Sequence, residues 1–326
     1  MLLISMAARR RTGKRLFKAF LPLMLLLVLV AGGIIGWIVY GITRPPRHAY
    51  LVTPEKFKLI SDRGLKVSEE TWTNQDGTQA RGWLLRGAEG APAVVLLHRY
   101  GADRSTLLNL GVKINEATNF TVLWPDLRGH GENPPVQWTS FGAKESADTQ
   151  AALNYLRTLK TTQGRPFVGG SAGLYGVELG AYTALNAAGK DASVRALVLD
   201  SIPRDADEMV SMAANGHVGA INALIEPLAR LGTRLYFLGG YENQAACDIA
   251  KRTTDRRVLL LSGADAGALR DSTTALARCF PDQSSVEVNA DLPLTGVNLA
   301  SANGQQGEAY DRRVIDFFDK TLRTAP

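Results

Sequence analysis

Two stretches of this 326-residue chain space glycines around a side chain that could do chemistry. In GVELG, residues 176–180, glycines stand two before and two after Glu178. In GGSAG, residues 169–173, Gly169 and Gly173 flank Ser171 in the same way. That spacing suits a sharp strand-to-helix turn, where the backbone runs so close to its neighbours that a Cβ at either flanking position would crowd them. A serine presented there is a nucleophile if a histidine takes its proton. A carboxylate there can attack carbon, but a histidine must then activate water to cleave the ester. Either chemistry needs a base, and the four histidines are His48, His98, His130 and His217.

The flanking pattern decides which glycine pair makes the turn. RPFV before Ser171 is short and holds Pro166, and AGLYGVELG after it is strand-like and broken by glycine. Around Glu178, LYGV supplies a strand and GAYTALNAA a helix. The turn is therefore expected at Glu178, with Ser171 in the loop leading into the strand. The rest of the chain keeps the same alternation. APAVVLLH (91–98), FTVLWPD (120–126), RALVLDS (195–201), RRVLLLSG (256–263) and SSVEVNA (284–290) read as strands, the first two as runs buried on both faces. STLLNLGVKINEA, ADTQAALNYLRTL and GALRDSTTALARCF read as helices. A terminal helix carries Tyr310, Val314, Phe317, Phe318 and Leu322 at helical spacing. SEETWTNQDGTQARGWLLRG gives a hairpin around Asp76-Gly77. The fold class is α/β, a mostly parallel sheet with helices on both faces.

Charge divides the chain. The formal net charge is +6, but the first 48 residues hold eight Lys/Arg and no acid, leaving −2 for the remainder. A nucleic-acid partner would need a basic face on the folded body, so that class is set aside. Phe20 to Tyr40 carries no charge and is long enough to cross the roughly 30 Å hydrocarbon core as a helix. A cleaved signal peptide would have a shorter apolar region and a small-residue cleavage site, which AGGIIGWIVY does not offer. The expected organisation is a basic cytoplasmic N-terminus at 1–19, a transmembrane helix at 20–42 with the lipid bilayer as partner, a linker at 43–55, and a domain at 56–326 with a cap at about 203–252. Six Lys/Arg precede the helix, which places the N-terminus inside and the domain outside the cytoplasm, in the periplasm of a bacterium. Gly32 and Gly36 form a Gly-x-x-x-Gly pair, either a contact for a membrane-protein partner or a chance occurrence. Cys247 and Cys279 form a disulfide in such a compartment, or remain two separate buried thiols.

Three motifs in order sharpen the α/β pattern. LLHRYGADRS follows the first buried strand, DLRGHGEN (126–133) follows the next, and GVELG follows the third. Together they resemble the α/β-hydrolase fold superfamily, in its lipase, esterase and serine-peptidase branch, over roughly residues 55–324. The resemblance implies a nucleophile at Glu178, an oxyanion turn at His98-Arg99, an acid after the strand ending in LLLS, and a histidine in the loop before the last helix.

The chain departs from the family at each of these places. Glu178 replaces the serine, and Arg99 replaces a glycine in the oxyanion turn. GADAG puts Asp265 one residue early, with Ala266 where the acid would fall. The last loop, DLPLTGVNLASANGQQGE, has no histidine, and Asn298 falls near the vacant place. Glu178 either bonds Arg99 or the amides of the former oxyanion hole and closes the site, or Arg99 points to solvent. His98 and His130 read as loop-fixing residues. No cluster has metal-ligand spacing and no phosphate loop is present, so neither metal nor cofactor is expected. Two functions follow: a membrane-anchored pseudoenzyme that binds a small apolar or ester-like ligand or serves as a subunit of a membrane complex, or a hydrolase with a rearranged set. That set would pair Ser171 or Glu178 with His98, His130 or His217.

Overall fold

A computed structural model describes residues 2–60, 66–218, 222–299 and 304–324. The side chains of the basic run at 1–19, and residues 300–303 of the last loop, lie outside the described residues. The chain opens with helix α1 (Leu2–Thr43), whose apolar segment Phe20–Thr43 is long and apolar enough to cross a membrane. A short α2 (Pro54–Ile60) precedes the hairpin of β1 (Val67–Thr73) and β2 (Gln79–Leu85), which turns at Asp76-Gly77 as its sequence predicts. Then follow β3 (Ala93–Leu97), α3 (Leu108–Thr118), β4 (Thr121–Pro125), α4 (Ala143–Thr158), β5 (Ala172–Val177), α5 (Leu179–Ala188) and β6 (Val194–Asp200). Three helices come next, α6 (Ala206–Val218), α7 (Asn222–Phe237) and α8 (Ala246–Ala250). The chain closes with β7 (Arg257–Leu261), α9 (Leu269–Leu276), β8 (Val286–Asn289) and α10 (Gly304–Thr324).

The eight strands form one sheet in the order β1-β2-β4-β3-β5-β6-β7-β8. β2 runs antiparallel to both its neighbours, and the other pairs are parallel. Parallel strands buried on both faces send alternate side chains to opposite layers. Val95, Leu97 and Leu174 pack with α4, α5 and the cap helices, whereas Val94, Leu96, Tyr175 and Val177 pack with α3 and α10. Ile38 and Ile42 of α1 join the first of these layers, so the last two turns of the apolar helix face protein on one side.

Register positions the site. Leu97 pairs with Gly176, Val177 with Asp200, Asp200 with Leu261, and Leu261 with Asn289. The loops after β3, β5, β6, β7 and β8 therefore leave the sheet side by side along one edge. The segment after α1, expected as a linker, is fastened to the domain. Tyr50 Oη donates to Asp126 at 2.7 Å and Leu51 N to Ser105 Oγ at 3.0 Å, while at the end of α1 itself Thr43 O accepts from Thr139 N at 2.9 Å and Ile42 O from Tyr100 Oη at 2.7 Å. Cys247 and Cys279 are joined as a disulfide, tying α8 to the turn after α9.

Candidate functional site

Glu178 stands between β5 and α5 with φ 47° and ψ −107°, a left-handed conformation that costs a non-glycine residue about 1–3 kcal/mol. The two glycines explain why the chain holds it. A Cβ on Gly176 would lie 2.2 Å from the Gly180 backbone, and one on Gly180 would lie 2.2 Å from Leu97 O. Strand, turn and helix touch at these points, and the contact drives Glu178 to the end of the sheet. Ser171 sits at the other end of β5, where its carbonyl accepts from Ala93 N at 3.3 Å. Seven residues of extended chain, about 20 Å, separate it from the turn. The structure does not bring Ser171 to the site.

Glu178 forms part of the wall of a cavity of about 590 Å³. Arg99, Tyr100 and Leu179 lie beside it, α6 contributes Met209, Met212 and His217, and α1 contributes Tyr40 and Gly41, with Arg44 just past its end. Glu178 makes no cap hydrogen bond to its own helix. Among the described residues no salt bridge joins it to Arg99, whose Nη1 donates to Tyr100 O at 3.1 Å. The expected direct bond is not made, and the site is open. Burial pushes the Glu178 carboxyl up to about 7; the Arg99 charge pulls it down and Asp200 pushes it further up. The group is thus about half protonated at neutral pH, near the range suited to proton transfer.

Two residues singled out in the loops after β7 and β8 meet. Asn298 Nδ2 donates to Asp265 Oδ2 at 2.6 Å. Asp265, one residue early in GADAG, is thus within reach of Asn298. What is lost is the imidazole, since an amide can orient a partner but cannot take a proton. Asn298 and Arg99 both line a second cavity of about 330 Å³, with Val177 and Gly296.

A buried acid that the sequence did not single out supports this loop. Asp200, at the end of β6, accepts from Tyr310 Oη at 2.5 Å, Gly296 N at 2.6 Å and Ser201 Oγ at 2.8 Å. Tyr310 Oη also lies 2.7 Å from Tyr175 Oη. Burial pushes Asp200 up to about 6 in spite of its three donors. Gly296 lacks the Cβ that would stand 2.5 Å from Tyr175 Oη, and so docks the loop that carries Asn298 two residues later. The only local signal was a carboxylate ending a buried strand.

No family model and no curated protein matches the chain by sequence. Solved structures do match in shape. An esterase of Pyrococcus furiosus superposes with a TM-score of 0.61 at 17% identity, over 86% of this chain and 98% of its own. An acylaminoacyl peptidase of Pyrococcus horikoshii gives 0.58 at 12% over 85% and 45%, respectively. A carboxyl esterase of Tuber melanosporum gives 0.58 at 12% over 85% and 91%. The chain has the α/β-hydrolase fold.

Identity this low carries the fold and not the activity. Within the α/β-hydrolase frame, His98 and His130 are spent on structure. His98 is fully buried; its Nδ1 lies 2.8 Å from Arg99 O and its Nε2 accepts from Leu127 N at 3.0 Å. Burial holds it at about 4 and His130 at about 3, so both stay neutral. Neither lines the Glu178 cavity. His217 does, held between the Trp37 ring, 4.9 Å away, and the bare backbone of Gly41.

Proposed function

We propose that this protein is a membrane-anchored binding protein of the α/β-hydrolase fold, a pseudoenzyme that holds a ligand above Glu178 without cleaving it. One observation carries the reading: the hydrogen-bond partner of Asp265 is Asn298, an amide with no proton to relay. Loss of the nucleophile and base together leaves only what binding and the oxyanion hole can supply. The cavity supports a small apolar or ester-like ligand, since Met209, Met212, Leu179 and Leu269 offer apolar walls beside the polar groups of Arg44, Arg99 and His217. The protein then acts alone or as a subunit of a membrane complex. Its N-terminus is cytoplasmic by the positive-inside rule and its domain extracytoplasmic, periplasmic in a bacterium. The disulfide suits that compartment.

The hydrolase alternative narrows to one pair. Glu178 and His217 are the carboxylate and the histidine that line the same cavity. In that reading Glu178 attacks the acyl carbon of an ester and forms a mixed anhydride as the alcohol leaves with a proton from His217. The neutral His217 then takes a proton from the water that hydrolyses the anhydride. The deciding experiment is reaction of the full-length protein with a fluorophosphonate probe and with a panel of short- and long-chain esters. No labelling and no turnover is the expected result. Turnover that disappears in both Glu178→Gln and His217→Ala would replace the binding reading with the hydrolytic one.

A further inference from the structure

Helix α7 carries an apolar face that the cavity does not use. Its polar residues turn toward α6. Arg230 Nε donates to Ser211 Oγ at 2.8 Å, Asn215 Nδ2 donates to Glu226 Oε1 at 3.1 Å, and Arg234 pairs with Asp207. On the other side Leu228, Leu231 and Leu235 recur at three- and four-residue spacing, and Leu238 follows just past the helix end. They are 39%, 53%, 61% and 86% exposed. Scattered exposed leucines are ordinary, but a helical stripe of them marks a surface that something apolar covers.

The neighbouring element says what that is. Gly232 presses on α1, where a Cβ would stand 2.4 Å from Ile35 Cγ2 and 2.8 Å from Val39 Cγ2. Ile35 and Val39 belong to the charge-free run that ends at Tyr40. Helix α7 therefore meets α1 within the last turns of the apolar segment, not beyond it. Ile34 and Trp37, both exposed on α1, belong to those same turns.

We propose that α7 is a second membrane-contacting element, with its leucine face resting in the interfacial layer of the bilayer that α1 crosses. The proposal rests on reading α1 as a membrane span. Amphipathic helices of this kind lie with their apolar side about 5–10 Å into the headgroup boundary, the depth at which Trp37 is also favoured. Helix α6, paired to α7 by the bonds above, contributes Met212, Gly216 and His217 to the Glu178 cavity, opposite Tyr40 and Gly41 of α1. The cavity is thus bounded by α1 and by the helix that is bonded to α7.

The test uses the full chain, whose native cysteines are already paired. An environment-sensitive dye is attached to Leu231→Cys, Leu235→Cys, Leu27→Cys in the middle of α1, and Thr158→Cys on the exposed end of α4. Each protein is reconstituted in phosphatidylcholine–phosphatidylglycerol vesicles with and without nitroxide-labelled lipid, and iodide is the aqueous quencher. Positions 231 and 235 are expected to show a blue-shifted emission, quenching by the nitroxide lipid and protection from iodide, with Thr158→Cys the reverse. If Leu27→Cys is quenched by lipid while 231 and 235 behave like 158, the α7 proposal falls and the span stands. If Leu27→Cys itself escapes the nitroxide, both fall. Protection from iodide without lipid quenching at 231 and 235 means that a protein surface covers α7, which also overturns the proposal.

Discussion

Two loops leave the same edge of the sheet, one after β4 and one after β5, and they treat their charges in opposite ways. In the DLRGHG loop every charge is matched. Buried Arg128 holds Asp148 through Nε and Nη2 at 2.7 and 2.6 Å and reaches Asp76 at 3.1 Å, clamping α4 to the β1–β2 hairpin. Asp126 accepts from Tyr50 Oη and Arg104 N, with the Arg81 and Arg104 guanidiniums 3.5 Å away. At the elbow the backbone is held just as firmly, yet Glu178 has no salt bridge among the described residues and faces a cavity. A paired buried charge stabilises a connection. One left unpaired against open space supports the proposed ligand site, because structure alone does not explain its cost.

The largest effect should come from the paired side. Arg128→Ala strands two carboxylates, one of them mostly buried, and is expected to cost about 3–5 kcal/mol in denaturant unfolding of the detergent-solubilised protein. A cost below that of an ordinary surface substitution would undo the contrast between the loops. Gly180→Ala comes next. Its new Cβ meets Leu97 O, a backbone atom that cannot swing aside, so a loss of about 1–3 kcal/mol is expected from overpacking. A neutral result would mean that the elbow is not the tight contact on which the site reading depends.

Glu178→Gln should run the other way, and its signature is in pH. The folded carboxyl titrates near 7, whereas a free glutamate titrates near 4.3. Between those values the unfolded chain gives up its proton first. Stability is fully present below about pH 4 and declines as pH rises toward 7. Asp200 and Asp148, both pushed up to about 6 by burial, add slopes of the same sign, so the difference between wild type and variant isolates Glu178. The variant should be the more stable at pH 8, by on the order of 1–3 kcal/mol, and equal to wild type at pH 4. A variant less stable at pH 8 would show that the charged carboxylate has a favourable partner after all.

How much of this was legible in the sequence depends on the range of the physics involved. The turn at Glu178 was readable because close packing leaves a local mark, two glycines at fixed spacing between a strand and a helix. The central strands were readable because buried parallel strands are continuous apolar runs, but their order in the sheet was not. The Asp200–Tyr310–Tyr175 network was not, since its members lie 110 and 135 residues apart and none has a local requirement. Nor was the meeting of Asp265 with Asn298 legible, since residue spacing in a motif does not give the path that brings two loops together. The end of α1 shows a third limit. Ile38 and Ile42 fall within the transmembrane segment expected at 20–42, yet they are buried in the domain core, because hydrophobicity does not distinguish lipid from protein.

The smallest predicted effect bears on why Asn298 still meets Asp265. The bond is short, but Asp265 is exposed and its partner uncharged, so water competes for both groups. Loss of this bond in Asn298→Ala should therefore cost about 0.5–1.5 kcal/mol, toward the lower end for a hydrogen bond, with the side chain's other contacts adding to it. The loop is held instead by Gly296 on Asp200, a bond this substitution leaves intact. If the cost is small, the Asp265–Asn298 geometry follows from the docking of the loop and needs no catalytic demand to maintain it. A cost of several kcal/mol would make Asn298 a structural keystone, and its presence would then say nothing about lost catalysis. The side chain's weakness as a stabiliser is what allows its identity to be read as chemistry.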